Sequence, residues 1–191
     1  MQKKRLKREF FMVDALELSR RLIGKILVHE TPYGIVRGII TETEAYMGVE
    51  DKGSHTYGGK RTKRTEPMFH IGGTSYVYFI YGMYNCVNVT AGPAEVPMAA
   101  LIRMVEPADE ESRAIMEKLR GKSAHLADGP GKLCIAMQIT KEENDLDLVT
   151  DERFYLTEGI EVEEGRIQAG KRIGIDYAEE AADYLWRFTL R

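Results

Sequence analysis

The chain has only two cysteines in 191 residues, Cys86 and Cys134. Two are too few for a disulfide framework or a cysteine-based zinc site, so reduced, buried thiols are expected. The four histidines are scattered singly. None falls in a cluster with metal-ligand spacing, so no metal and no cofactor are expected. No apolar run approaches the roughly 20 residues of a membrane span, and no membrane partner is expected. The basic start, Met1 to Arg8, is not followed by the apolar core of a signal peptide, and a cytoplasmic protein is expected. There is no internal repeat and no interdomain linker. A single domain over residues 1–191 is therefore expected, long enough to bury a core without staples. The net charge of −3 argues mildly against nucleic acid as a sum. Its distribution argues otherwise: residues 1–25 and 60–64 are basic, and the segment from Glu142 to Glu164 is strongly acidic. A local basic surface can bind phosphates under a negative total. The acidic segment is read as solvated surface.

Local signals place the elements. Asp14 to Ile23 reads as a helix, with Asp14 as N-cap, Glu17 completing a capping box and Gly24 as the stop. Leu18 and Leu22 then face the core. Strands follow at Lys25–His29 and Ile35–Tyr46, joined by Thr31-Pro32-Tyr33-Gly34, which is turn chemistry. From Met47 to Gly73 there is little periodicity, and a loop that long in a compact domain is usually functional or disordered. Aromatic and β-branched residues from Thr74 to Thr90 flank Tyr81-Gly82-Met83 and read as a second hairpin with its tip near Gly82. Met98–Val105 is a strand whose one charge is Arg103. Asp109–Arg120 is a helix stopped at Gly121, and Asp128 begins another. Lys171 to Asp176 reads as a loop or short strand. Strands lie in adjacent hairpins rather than alternating with helices, so the fold class is α+β with an antiparallel sheet.

The stretch from Gly38 to His55 carries the most chemistry. Residues two apart in a strand share a face, so Glu42, Glu44 and Tyr46 point one way. Thr41, Thr43 and Ala45 point the other way and are too small for a rich core face. Glutamate has low strand propensity, so either charge is solubilising an exposed edge or the carboxylates have a task. A carboxylate can activate water. Tyr46 and His55 can sandwich a flat, electron-poor group, and Tyr76, Tyr78, Tyr81 and Tyr84 supply further rings, if they are not simply core. Asn88 lies in an apolar strand and must be hydrogen-bonded. Arg103 needs a partner, which Glu42 or Glu44 would supply. Gly129-Pro-Gly-Lys132 lacks the Walker spacing and the closing Ser/Thr; it either presents helix amides and Lys132 to a phosphate or merely starts a helix. Two other functions fit these residues. Glu42 and Glu44 lie roughly 6.8 Å apart on one strand face, near the spacing of inverting sugar glycosidases. The tyrosines could instead form a stacking platform for single strands.

Five ordered blocks narrow the choice: Thr43-Glu-Ala-Tyr-Met-Gly-Val-Glu-Asp51 with His55; Tyr76-Val-Tyr-Phe-Ile-Tyr-Gly-Met-Tyr84 with Asn88; Leu101-Ile-Arg103 with Glu106-Pro107; Gly129-Pro-Gly-Lys-Leu-Cys134; and Arg172-Ile-Gly-Ile175. Together they resemble the alkyladenine (3-methyladenine) DNA glycosylases, from about Glu9 to Phe188. The resemblance implies a monomer with a curved antiparallel sheet flanked by helices and a hairpin protruding toward double-stranded DNA. It implies a hydrolase that flips out 3-methyladenine, with hypoxanthine and ethenoadenine as further substrates, and leaves an abasic site. By position, Glu44 resembles the general base, and Arg103 and the Ile173 carbonyl resemble the partners of the water. Tyr46, His55 and Tyr78 resemble the walls of the base pocket. Asn88 resembles the residue that rejects the 2-amino group of guanine. Tyr81 resembles the wedge that fills the vacated stack. Lys60, Thr62, Arg64, Tyr84 and Lys132 fall where the family contacts the DNA backbone. Asn85 and Asp176-Tyr177 depart from the family's pattern.

Overall fold

Asp14 opens a helix as the sequence predicts: its carboxylate accepts the Glu17 N–H at 2.8 Å. The second half of the expected capping box does not form, because the Glu17 carboxylate turns down the helix to Arg21, 2.7 Å away. The computed structural model describes residues 4–191. The first three residues of the basic start lie outside the described residues. Among the described residues, four α-helices, α1 (Arg8–Phe11), α2 (Ala15–Leu22), α3 (Glu110–Arg120) and α4 (Pro130–Ala136), and six short 3-10 helices accompany eight strands. The strands are β1 (Ile26–Thr31), β2 (Gly34–Tyr46), β3 (Ser75–Ile80), β4 (Tyr84–Ala91), β5 (Met98–Pro107), β6 (Phe154–Thr157), β7 (Ile167–Gly170) and β8 (Arg187–Leu190). Every pairing is antiparallel. The sheet runs β3-β4-β5-β2-β1-β6, and β8 joins β2 and carries β7. The fold is α+β.

β2 lies inside this sheet, which overturns the edge-strand alternative. β5 lines one of its edges from Gly38 to Tyr46; β1 and then β8 take consecutive stretches of the other. A bulge around Thr41 shifts the register against β5, a device that bends a strand and re-aims its side chains. The face of Thr43 and Ala45 is also core, contrary to expectation. Both residues are fully buried, and the Thr43 hydroxyl donates to the Ser19 carbonyl of α2 at 2.8 Å. Small side chains are what let that helix lie close to the strand.

The main hydrophobic cluster, with Leu18, Leu22, Ile40, Ile102, Leu133 and Phe154 among its members, sits between the helices and the sheet. Asp109 caps α3 by accepting the Ser112 N–H at 2.7 Å, and Gly121 ends it at φ +64°. The acidic segment is more than solvated surface, because Leu148, Phe154 and Leu156 from it are core. Glu143 is buried too. It accepts the Thr140 N–H at 2.6 Å and stands 3.4 Å from His29 Nε2. His29 Nδ1 meets the Met137 carbonyl at 2.8 Å, so that nitrogen carries a proton. Replacing His29 with Ala leaves the Glu143 carboxylate buried without its ring partner. The expected cost is about 3 kcal/mol, read as a lower urea midpoint with unchanged slope.

Candidate active site

The carboxylates of β2 meet Arg103 of β5. Arg103 Nε donates to Glu42 Oε1 at 2.7 Å, and its Nη1 lies 3.3 Å from Glu44 Oε1. The guanidinium thus takes both of the partners the sequence offered. Glu44 Oε1 also accepts the Ile173 N–H at 2.8 Å, while among the described residues Oε2 accepts only from the Tyr46 hydroxyl, at 3.0 Å. Glu44 has no exposed surface. Burial pushes its carboxyl pKa up; Arg103, the Ile173 amide and the Tyr46 hydroxyl oppose that without cancelling it. Glu42 is differently placed. Its Oε2 accepts from Arg187 at 3.1 Å and from Thr189 at 3.2 Å, and its Oε1 is held by Arg103. With both oxygens tied, Glu42 is not the second free carboxylate that a sugar glycosidase needs.

Tyr46, His55, Tyr78, Asn88, Arg103 and Ile173 line one cavity of about 320 Å³. Glu44 stands one layer behind its wall, since its three partners Tyr46, Arg103 and Ile173 are wall residues. His55 meets Tyr78 edge-on with ring centroids 4.6 Å apart, and its Nδ1 lies 2.9 Å from the Tyr76 hydroxyl. Burial, with Arg64 and Lys60 nearby, pushes the His55 imidazole down to about 4, so it is neutral at pH 7. Burial pushes the Tyr76 phenol up to about 12. The Asn88 amide donates to the Tyr76 carbonyl at 3.0 Å, which answers the question its burial raises. Tyr76 is buried and Tyr78 half-buried. The rings therefore converge on an enclosed space, whereas a single-strand platform needs them on an open sheet face.

The hairpin of β3 and β4 presents Tyr81 at its tip with φ +54°. Tyr81 is 77% exposed and Met83 beside it 64%, an apolar tip facing solvent. Tyr84 lies against Gly131 at the start of α4, where any Cβ would come within 2.9 Å of the ring. α4 has seven residues, and Lys132 in its first turn pairs with Asp128 at 2.8 Å. The basic run is less free than its sequence implies. Arg61 is held by Glu66 and Glu95, each at 2.6 Å. The Arg64 guanidinium lies 5.2 Å from the Tyr78 ring centre. The Thr62 N–H donates to the Thr65 hydroxyl at 2.9 Å. Lys60 is exposed. Lys60, Thr62 and Arg64 do come together, beside His55, on a second basin of about 590 Å³ that adjoins the first.

Three further residues belong to the site or its support, beyond those given a role from the sequence. Cys86, cross-strand from Tyr78, lines the cavity. Tyr177, one of the two departures, also lines it, and its hydroxyl donates to the Gly53 carbonyl at 3.4 Å. The third is Arg172, which pairs with Asp51 at 2.6 and 2.8 Å and donates to the carbonyls of Ala45 and Ala181. Its guanidinium lies 4.8 Å from the Tyr46 ring centre and 4.9 Å from that of Trp186. The other departure, Asn85, points its amide at the Ile139 carbonyl, 3.5 Å away.

A family model described as methylpurine-DNA glycosylase matches residues 9–191. A protein of Clostridium novyi, provisionally named 3-methyladenine DNA glycosylase, is 46% identical over 196 residues, covering 98% of this chain and 96% of its own. A protein of Desulfitobacterium hafniense with the same provisional name is 47% identical over 197 residues, covering 98% of this chain and 95% of its own.

Proposed function

The chain belongs to the methylpurine-DNA glycosylase family, and from that premise we propose that it removes 3-methyladenine from double-stranded DNA by hydrolysis, with hypoxanthine and ethenoadenine as further substrates. The damaged nucleotide leaves the helix, and its base enters the cavity between Tyr46 and His55, with Tyr78 on the third side. A 3-alkylated adenine is cationic, and aromatic faces attract a cation more than a neutral base. The low pKa of His55 serves this directly, because a neutral ring does not repel that cation. Asn88 excludes the 2-amino group of guanine. Tyr81 fills the gap in the stack. Lys60, Thr62, Arg64, Tyr84 and Lys132 meet the phosphates, with Lys132 exchanging Asp128 for one of them.

Glu44 takes the proton of the attacking water. Its Oε1 is anchored by the Ile173 amide and Arg103, which leaves Oε2, held among the described residues only by the Tyr46 hydroxyl, as the oxygen that accepts it. Arg103 and the Ile173 carbonyl orient the water. The water oxygen bonds to C1′ as the glycosidic bond breaks, and the bonding pair leaves with the purine. A cationic base departs neutral and needs no proton. Among the described residues lining the cavity there is no lysine, so no Schiff base forms and the strand stays intact.

The observation that carries this reading is the arrangement around Glu44: one buried carboxylate, held from three sides by residues that all line an aromatic cavity. Single-turnover excision from duplexes containing 3-methyladenine, hypoxanthine or undamaged adenine tests it across pH. The cationic lesion should be released fastest and adenine not at all. The rate should fall on acidification through a pKa raised above the ordinary glutamate value, where Glu44 takes up its proton. No inflection from His55 should fall between pH 5 and 8, since its pKa is about 4. Failure to release any lesion overturns the reading.

A further inference from the structure

Among the described residues, one ion pair has no exposed side-chain surface on either partner: Arg172 with Asp51. A pair this deep is a poor source of stability, because desolvation offsets most of its attraction. Its position gives it another use. Tyr46 lines the base cavity and Arg172 does not, so the guanidinium lies behind the ring, sandwiched between Tyr46 and Trp186. Gly53, also a wall residue, packs so tightly on it that a Cβ there would sit 3.0 Å from Nη2. A base stacked on Tyr46 at ordinary contact distance would have its centre roughly 8 Å from that guanidinium. An uncompensated cation at this range would repel a cationic purine and drain the ring face that attracts it. Asp51 answers the charge with two hydrogen bonds and keeps its own geometry by accepting the N–H groups of Met47 and Gly53 at 3.0 and 2.9 Å.

We propose that the Arg172–Asp51 pair determines which lesions the slot accepts: the guanidinium fixes the Tyr46 ring from behind, and Asp51 cancels its charge so that a positively charged purine can stack in front. This rests on the slot being that of an alkylpurine. Arg172 and Asp51 do not touch the base; they act through Tyr46.

The test is the ratio of single-turnover excision rates for a cationic lesion, 3-methyladenine in alkylated duplex DNA, and a neutral one, hypoxanthine. Asp51→Asn leaves the guanidinium bare and should lower the cationic-to-neutral ratio on the order of tenfold, given a unit charge acting through a partly buried path. Arg172→Gln leaves the carboxylate bare and should move the ratio the opposite way by a similar factor. A lowered ratio for Asp51→Asn with a raised one for Arg172→Gln supports the proposal, and the reverse pair overturns it. A packing role alone would slow both lesions together, so ratios unmoved, or moved in the same direction, overturn it. An asparagine at 51 turns an amide nitrogen toward backbone donors. If that variant does not fold, Arg172→Gln decides alone: a raised ratio supports the proposal, and an unchanged or lowered one overturns it. If the unaltered protein excises neither lesion, the assignment of the slot itself has failed; if it excises both and the ratio does not respond, only the role of the pair has.

Discussion

Glu44→Gln is expected to slow single-turnover excision by about 10³-fold while leaving duplex binding intact or slightly tighter. Glutamine keeps the shape of the side chain and most of its contacts. The amide oxygen can still accept from the Ile173 N–H and Arg103, and the amide nitrogen can donate to the Tyr46 hydroxyl oxygen. Arg103 keeps Glu42 as its counter-charge at 2.7 Å, so no buried cation is stranded. What disappears is the carboxylate proposed to take a proton from water. One buried negative charge behind the cavity also disappears, which favours a polyanion. The decisive pair of measurements is the excision rate at saturating enzyme and the dissociation constant of the lesion duplex. A rate within tenfold of the unaltered protein, or binding lost in step with rate, would show that Glu44 is not the base.

The second large effect is on stability. Arg103→Met removes the cation that lies between two buried carboxylates and should destabilise the fold by about 3–5 kcal/mol. Glu42 retains Arg187 and Thr189, and Glu44 retains the Ile173 amide and the Tyr46 hydroxyl. Neither set of contacts replaces a charge shared by both. The sign of the pH dependence follows from Glu44. Burial already holds its pKa above the unfolded value, and Arg103 is the strongest opposing influence, so losing Arg103 raises the pKa further. A carboxylate with a raised folded pKa binds a proton in the native state that the unfolded chain has released. Its destabilising charge is therefore absent below the unfolded pKa and fully felt above the folded one. The deficit of the variant should be larger at pH 8 than at pH 5 in urea unfolding. A deficit under about 1 kcal/mol, or one equal at both pH values, would mean that Arg103 does not neutralise this cluster.

Much of this was legible in the chain because it is written locally. The Asp14 cap, the Gly121 stop and the turn at Gly82 depend on neighbours within a few residues. Glu42 and Glu44 both reach Arg103, as their shared strand face predicts, even though the register against β5 shifts again between Glu42 and Thr43. What could not be read are the long-range pairings. Nothing near Asp51 announces Arg172, 121 residues away. Nothing near Glu42 announces Arg187. β8 is only four residues long and exists because β2 has an open stretch beside Glu42–Glu44 for it to fill. The run from Lys60 to Arg64 reads as uniformly basic, yet Arg61 is drawn to Glu66 and Glu95. The small face of β2 looked too poor for a core because a helix pressed against it leaves no mark in the strand's own residues.

The anchoring of Glu44 Oε1 by an amide 129 residues downstream has a consequence for how the protein is made. The carboxylate leaves the ribosome early. The backbone group that orients it, and the Arg187 segment that pairs with its strand, follow only after most of the chain has been synthesised. An unfinished or C-terminally clipped copy therefore lacks both the amide that anchors Glu44 Oε1 and the strand that pairs beside it.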